Sequence, residues 1–272
     1  MEGIKINPVI EFENEFKQYV ESEYAIAVCN GTAALHTALS ALEAKQGQKV
    51  ITTAYTFPAT VNSILMTNAT PIFADIEPNS YNISPESIRQ QIKENPETVG
   101  IIPVHLFGQP CNMKEIMELA EKHGLWVLED ASQAIGATYK GKRLGTIGDA
   151  GTYSFYATKN LSAYQGGMIV TDNPEIDHFS RLYRKHGILN GEMVIFGHNY
   201  EMPWNCAFHG LQNLQLHKPG IEAELGRYSP KDGYYPKVVY QHQYYQEQGI
   251  TGDCPNAERL AEKVRSGQLV NS

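Results

Sequence analysis

The chain lacks any apolar run approaching the roughly 18 residues that a membrane-spanning helix needs, so no transmembrane segment is expected. Its first residues, MEGIKINPVIEFENEF, lack the basic-then-apolar order of a secretory signal. Basic residues are outnumbered, 22 Lys and Arg against 30 Asp and Glu, and the net charge is −8. That balance argues against a nucleic-acid partner, whose binders carry a basic stripe. The four cysteines, Cys29, Cys111, Cys206 and Cys254, are far apart and form no C-x-x-C pair. They read as reduced thiols, neither a disulfide framework nor a zinc site, and no metal centre is expected. Two phosphate-loop patterns are missing as well: G-x-x-x-x-G-K-[ST], and a G-x-G-x-x-G that follows a strand. A cytoplasmic globular protein is what these absences leave.

What is present is enough apolar residue, 42% of 272, for one large domain with a continuous core. From about residue 25 to 172, short apolar runs alternate with longer amphipathic ones. The short runs are AIAV (25–28), KVIT (49–52), PIFAD (71–75), VGIIPV (99–104), LWVLED (125–130), GTYSF (151–155) and GMIVT (167–171). Several are almost wholly apolar, as strands buried on both faces are. Helices are expected over 32–44, 58–67, 85–94 and 113–123, with Ser84-Pro85 as a start signal and Gly124 as a stop. Strand–helix alternation of this kind predicts an α/β domain with a mainly parallel seven-stranded sheet and helices on both faces. Further helices are expected over 174–187, 205–218 and 256–265. The stretch 219–255, rich in Gly, Pro, Tyr and Gln, has little apolar periodicity and is not expected to form a tidy fold.

Four features of the first two-thirds can carry chemistry. Glu129 and Asp130 end the strand LWVLED, at the edge where open α/β sheets bind ligands, although Asp130 could equally cap a following helix. Lys159 lies in a polar loop between two buried strands, near Gly166-Gly167. There it could become a partly desolvated amine nucleophile, or it could be an exposed lysine in a turn. Gly31-Thr32 stand where the strand AIAV meets a helix, a place for an anion or merely for a cap. Phe57 follows the strand KVIT, where it could cover a flat ring or pack in the core. Together they supply an anion cradle, an aromatic cover, a carboxylate and an amine at one edge of one sheet. Pyridoxal phosphate chemistry needs that set: a phosphate site, a carboxylate for the ring nitrogen, and a lysine to form the imine and move a proton.

The sequence resembles the DegT/DnrJ/StrS-type nucleotide-sugar aminotransferases, fold-type I enzymes that use pyridoxal 5′-phosphate. The resemblance spans roughly 15–218, and weakly 235–265. It is carried by YAIAVCNGTAALHTAL, VITTAYTFPATVNSIL, PIFADIEPNSYNISPESI, PVHLFGQPCNM, WVLEDASQAIGATYKGKRLGTIGDAGTYSFYATKNL and GGMIVTDNPE. It implies roles. Lys159 would form the imine with the cofactor, Asp130 would pair with the pyridine nitrogen, and Gln133 would sit against the ring and its 3-oxygen. Gly31, Thr32 and Ser154 would hold the phosphate, Phe57 would stack on the ring, and Asn199 would reach the phosphate of a partner subunit in a homodimer. The implied reaction passes an amino group from an amino acid, usually glutamate, to a ketone on a nucleotide-linked sugar, with Lys159 as the only catalytic residue assigned. Relatives that are dehydratases replace that lysine, typically by histidine; here it is kept.

The chain also departs from the pattern. Where the family typically reads N-Y-R-M, it has Asn199-Tyr200-Glu201-Met202, and where the family has G-E-G-G, it has Tyr164-Gln165-Gly166-Gly167. The resemblance implies a large cofactor-binding domain over 1–195. Residues 196–272 would be the interdomain helix and a reduced C-terminal small domain, in a relative shortened at the N-terminus and shortened or internally deleted in the small domain. A catalytically impaired relative that only binds the cofactor, or serves as a binding or regulatory module, is the alternative reading.

Overall fold

The computed structural model describes residues 7–223 and 234–266. In chain order its elements are α1 (Pro8–Val20), β1 (Tyr24–Val28), α2 (Gly31–Ala41), β2 (Lys49–Thr53), α3 (Pro58–Met66), β3 (Thr70–Ala74) and α4 (Pro85–Glu94). Next come β4 (Thr98–Ile102), α5 (Met113–His123), β5 (Trp126–Asp130), a small hairpin of β6 (Thr138–Tyr139) and β7 (Lys142–Arg143), β8 (Ala150–Ser154), β9 (Gly167–Thr171) and α6 (Pro174–Tyr183). A second hairpin of β10 (Ile188–Leu189) and β11 (Glu192–Met193), then α7 (Trp204–Ala223), α8 (Gln243–Glu247) and α9 (Pro255–Arg265), complete it.

Seven strands form one sheet in the order β1-β9-β8-β5-β4-β2-β3. Only β9 runs against the others, pairing antiparallel with both β1 and β8. All seven expected strands are present, and the mainly parallel sheet is as the sequence predicts. Residues of one strand alternate between the two faces. In β1, Ala25 and Ala27 join the core beneath α1 and α7, while Ile26 and Val28 join the core beneath α2. In β5, Val127 packs with α4 and α5, and Leu128 packs with α2. Helices therefore cover both faces, which is why these strands read as continuous apolar runs.

Helix α1 has no counterpart among the expected elements. Asn7 caps it through its Oδ1, 3.0 Å from Val9 N, and Pro8 takes the first helical position. Phe12 and Phe16 are fully buried and meet Phe155 and Tyr153 at ring separations of 5.0 Å each. Its Glu13 closes the free edge of β1: Oε1 accepts from Ala27 N at 2.9 Å, and Oε2 accepts from Arg181 Nη1 at 2.9 Å. Arg184 bonds the same carboxylate and donates to Ala27 O at 2.6 Å, and Arg181 donates to Ala25 O at 3.2 Å. Edge strands left with open polar groups invite pairing with another chain, and here side chains occupy them.

The stretch expected to lack a tidy fold needs correction where it is described. Residues 234–255 pack on the sheet: Val238, Val239, Tyr240 and Tyr245 are buried with Ala54, Phe73 and Val104. Val239 N donates to Ala54 O at 2.9 Å, Tyr245 OH donates to Asn62 Oδ1 at 2.7 Å, and α9 adds Ala257 and Ala261 to that core. Residues 224–233 of the same stretch lie outside the described residues. Helix α7 covers the expected 205–218 and runs on to Ala223, with a break at His217, where φ is −124°. No helix among the described residues is long and apolar enough to cross a membrane.

Candidate active site

A cavity of about 460 Å³ opens where β1, β2, β4, β5 and β8 reach their carboxyl ends. Gly31, Thr32, Phe57, Asp130, Gln133, Ser154 and Lys159 all line it. Of the eight residues singled out from the sequence, Asn199 alone lies outside. It is exposed, in a segment where Tyr200 O accepts from Cys29 N at 2.8 Å and Glu201 bridges to Val28 at the end of β1.

Each wall has a local cause. Strand β1 ends at Val28, and Asn30, two residues on, caps α2 by accepting at its Oδ1 from Ala33 N at 2.8 Å. The first N–H groups of a helix have no partner within it, and here they belong to cavity-lining Gly31 and Thr32, at the positive end of the helix dipole. Gly31 is held to glycine by close approach: a Cβ there would lie 3.0 Å from Ser154 Cβ and 3.3 Å from its Oγ. Gly167 is fixed in the same way, since its Cβ would fall 2.4 Å from Asn30 O. The hydroxyl of Ser154, at the end of β8, therefore stands beside the α2 N-terminus.

Asp130 is 4% exposed at the end of β5. Thr60 Oγ1 donates to its Oδ2 at 2.9 Å, and Ser132 N donates to its Oδ1 at 3.2 Å. No helix follows, only turns over 131–137, so the capping alternative does not describe it. Behind it Glu129 is fully buried and accepts from the N–H groups of Gly145, Ile147 and Gly148 at 2.6–2.8 Å. His105 Nε2 lies 2.9 Å from the same carboxylate, while His105 Nδ1 accepts from Cys111 N at 3.2 Å. Nε2 must then carry the proton, and a hydrogen-bonded frame ties β5, the 145–148 loop and the 103–111 segment together.

Lys159 sits in the loop between β8 and β9, its N–H bonded to Tyr156 O at 2.9 Å. Burial lowers its ammonium pKa, partly opposed by the Asp130 carboxylate, which raises it. Phe57, at the start of α3, is 60% exposed at the cavity mouth. Gln133 is held at both ends of its amide: Phe107 N donates to Oε1 at 2.9 Å, and Nε2 donates to Tyr235 OH at 2.7 Å. Thr60, Phe107, Tyr234 and Tyr235 also belong to the site and were not singled out from the sequence. Thr60 and Phe107 lie inside quoted motifs. Tyr235 comes from the stretch without periodicity, and no local signal marks it.

A half-buried amine and a buried carboxylate share one cavity of an α/β sheet with the N-terminus of α2, and that arrangement fits an enzyme-type ligand site at the strand ends. Residues 4–220 match the model of the DegT/DnrJ/EryC1/StrS aminotransferase family, and the chain belongs to that family. It is 46% identical over 180 residues to the spore coat polysaccharide biosynthesis protein SpsC of Bacillus subtilis, covering 66% of this chain and 46% of SpsC. It is 38% identical over 229 residues to a GDP-perosamine synthase of Caulobacter vibrioides, covering 82% of this chain and 61% of that protein. The chain thus spans about half the length of the curated relatives it matches. Among solved structures, the PLP form of a sugar aminotransferase, Spr1654 of Streptococcus pneumoniae, superposes with a TM-score of 0.73 at 27% identity, covering 78% of this chain and 60% of that one. The fold is that of the fold-type I pyridoxal-phosphate-dependent transferases.

Proposed function

We propose that the chain is a pyridoxal-phosphate-dependent aminotransferase that moves an amino group, from an amino acid such as glutamate, to a keto group on a nucleotide-linked sugar. The observation that carries this reading is the meeting of Lys159 and Asp130 in one cavity with the Gly31–Thr32 cradle. The cradle fits a phosphate: a Cβ at Gly31 would fill it, and Ser154 and the α2 N-terminus converge there. Names of relatives support the substrate class, since two are a GDP-perosamine synthase and a spore coat polysaccharide biosynthesis protein.

When bound, pyridoxal phosphate supplies an electron sink that lets an amino and a keto group exchange. The chain's residues then have separable tasks. The α2 N-terminus and Ser154 bind the phosphate. Asp130, fixed by Thr60 and Ser132, presents a carboxylate for a protonated ring nitrogen. Lys159, its pKa lowered by burial, anchors the group and afterwards moves a proton at Nζ. Phe57 covers the mouth. Asn199 is exposed and outside this cavity, and the reading assigns it to the phosphate of a second copy. A homodimer is part of the reading, and the exposed apolar residues Ile188, Leu189, Met193, Val194 and Phe196 of the β10–β11 region are the surface we assign to it. Residues 1–195 would carry most of the cofactor site, with Tyr234 and Tyr235 added from beyond α7, which would be the interdomain helix.

One observation favours the second reading, a cofactor-binding relative without turnover. Glu201, exposed beside the end of β1, puts a negative charge where the family pattern has arginine. Mixing the loaded protein with glutamate separates the two. Formation of 2-oxoglutarate equal to the protein present supports transfer, whereas cofactor that stays bound and unchanged supports the second reading.

A further inference from the structure

Left-handed backbone is unfavourable for aromatic residues and persists where the surroundings enforce it. Of the described non-glycine residues with positive φ, two line the cavity: Phe107 and Tyr235, each with φ of 56°. Both strained residues converge on one side chain, the amide of Gln133.

That convergence fixes the donor and the acceptor of both bonds. Phe107 N can only donate, so the Gln133 atom facing it, at 2.9 Å, is Oε1. The atom facing Tyr235 at 2.7 Å is then Nε2, which can only donate, so the phenol oxygen accepts. The phenol's own proton must point elsewhere, and among the described residues it meets no acceptor. Among the described residues, then, the Tyr235 hydroxyl stands on the wall of the cavity with its oxygen occupied and its proton available to donate. Its ring is held in place by Tyr55, edge-on at 5.4 Å and 87°, while Tyr55 OH ties the neighbouring backbone through Tyr234 O at 3.1 Å.

We propose that Tyr235 is a ligand-binding residue, whose phenol, carrying Gln133 on its oxygen, donates a hydrogen bond to an oxygen of the pyridoxal phosphate held in the cavity. The inference rests on the cofactor reading above. Burial, with the Asp130 carboxylate adding to it, keeps the phenol protonated and hence a donor. The stretch without periodicity would thus supply one wall of the site.

The test is a titration of pyridoxal phosphate into the wild type, Y235F, K159A and the double variant, reading Kd by protein fluorescence and the lysine-bound cofactor by absorbance. Phe keeps the ring and its packing and removes only the hydroxyl; circular dichroism checks the fold. Loss of one donor raises Kd about tenfold, with and without Lys159. A Kd that changes less than about twofold in both backgrounds overturns the role of Tyr235, even with the Lys159-dependent band intact. If the wild type binds without such a band, the transfer reading falls, and the comparison of K159A with the double variant still decides the inference. Failure of the wild type to bind pyridoxal phosphate overturns both.

Discussion

Replacing Glu13 by alanine should destabilise the protein far more than a surface mutation would. Its carboxylate is 5% exposed and bonded to Ala27 N, Arg181 and Arg184, whose side chains are 38% and 12% exposed. The Arg181 pair is wet enough to be screened and adds little. Removing the partner of Arg184 leaves a largely buried guanidinium uncompensated, a loss of about 3 kcal/mol. The Ala27 N–H, left without its acceptor, adds about 1 kcal/mol. The sum, about 4 kcal/mol, corresponds to a fall in Tm of about 10 °C for a chain of this size. Urea denaturation of the wild type, Glu13→Ala and Glu13→Gln measures it, with Gln intermediate because its amide oxygen can keep the Ala27 bond. A loss under about 1 kcal/mol for Glu13→Ala would refute the claim that this carboxylate organises the free edge of β1. The edge bears on the proposed function, because β1 leads into the Asn30–Gly31 turn assigned to the phosphate.

Three further outcomes follow from other features. Gly31→Ala should weaken pyridoxal phosphate binding about tenfold and cost about 1 kcal/mol of stability, because the added Cβ presses on Ser154; a titration and a urea melt read the two. His36, buried between Tyr183, Tyr200 and His198, has its pKa lowered to about 4 by burial and then by His198. Its unfolded form takes a proton first, so stability falls as pH drops below 6.5 and reaches its full loss, about 3 kcal/mol, below pH 4. Urea melts at several pH values should show a shallower decline for His36→Gln. Finally, Phe196→Asp should turn a dimer into a monomer in light scattering, since Phe196 is 72% exposed in the surface assigned to the second copy.

The sequence was readable wherever burial imposed a pattern. Strands such as GMIVT are covered on both faces and cannot hide, and helices such as 85–94 carry their own caps. Helix α1 went unread although Val9, Phe12, Phe16 and Tyr19 recur at helical spacing behind Asn7-Pro8. Residues 234–255 were unreadable for a different reason. Val238, Tyr240 and Tyr245 are buried by partners far away in sequence, so no period appears. Seven of the eight site residues meet in one cavity because they sit at strand ends, where topology leaves little choice. The bond between Gln133 and Tyr235 joins positions 102 residues apart, and only the folded chain shows it.

The central claim is that Lys159 is the amine that holds the cofactor. Incubating the protein with pyridoxal phosphate, reducing with borohydride and mapping the labelled peptide by mass spectrometry tests it directly. The account predicts a single label on Lys159, which disappears in Lys159→Ala. Label scattered over exposed lysines such as Lys114, or no label at all, would contradict it.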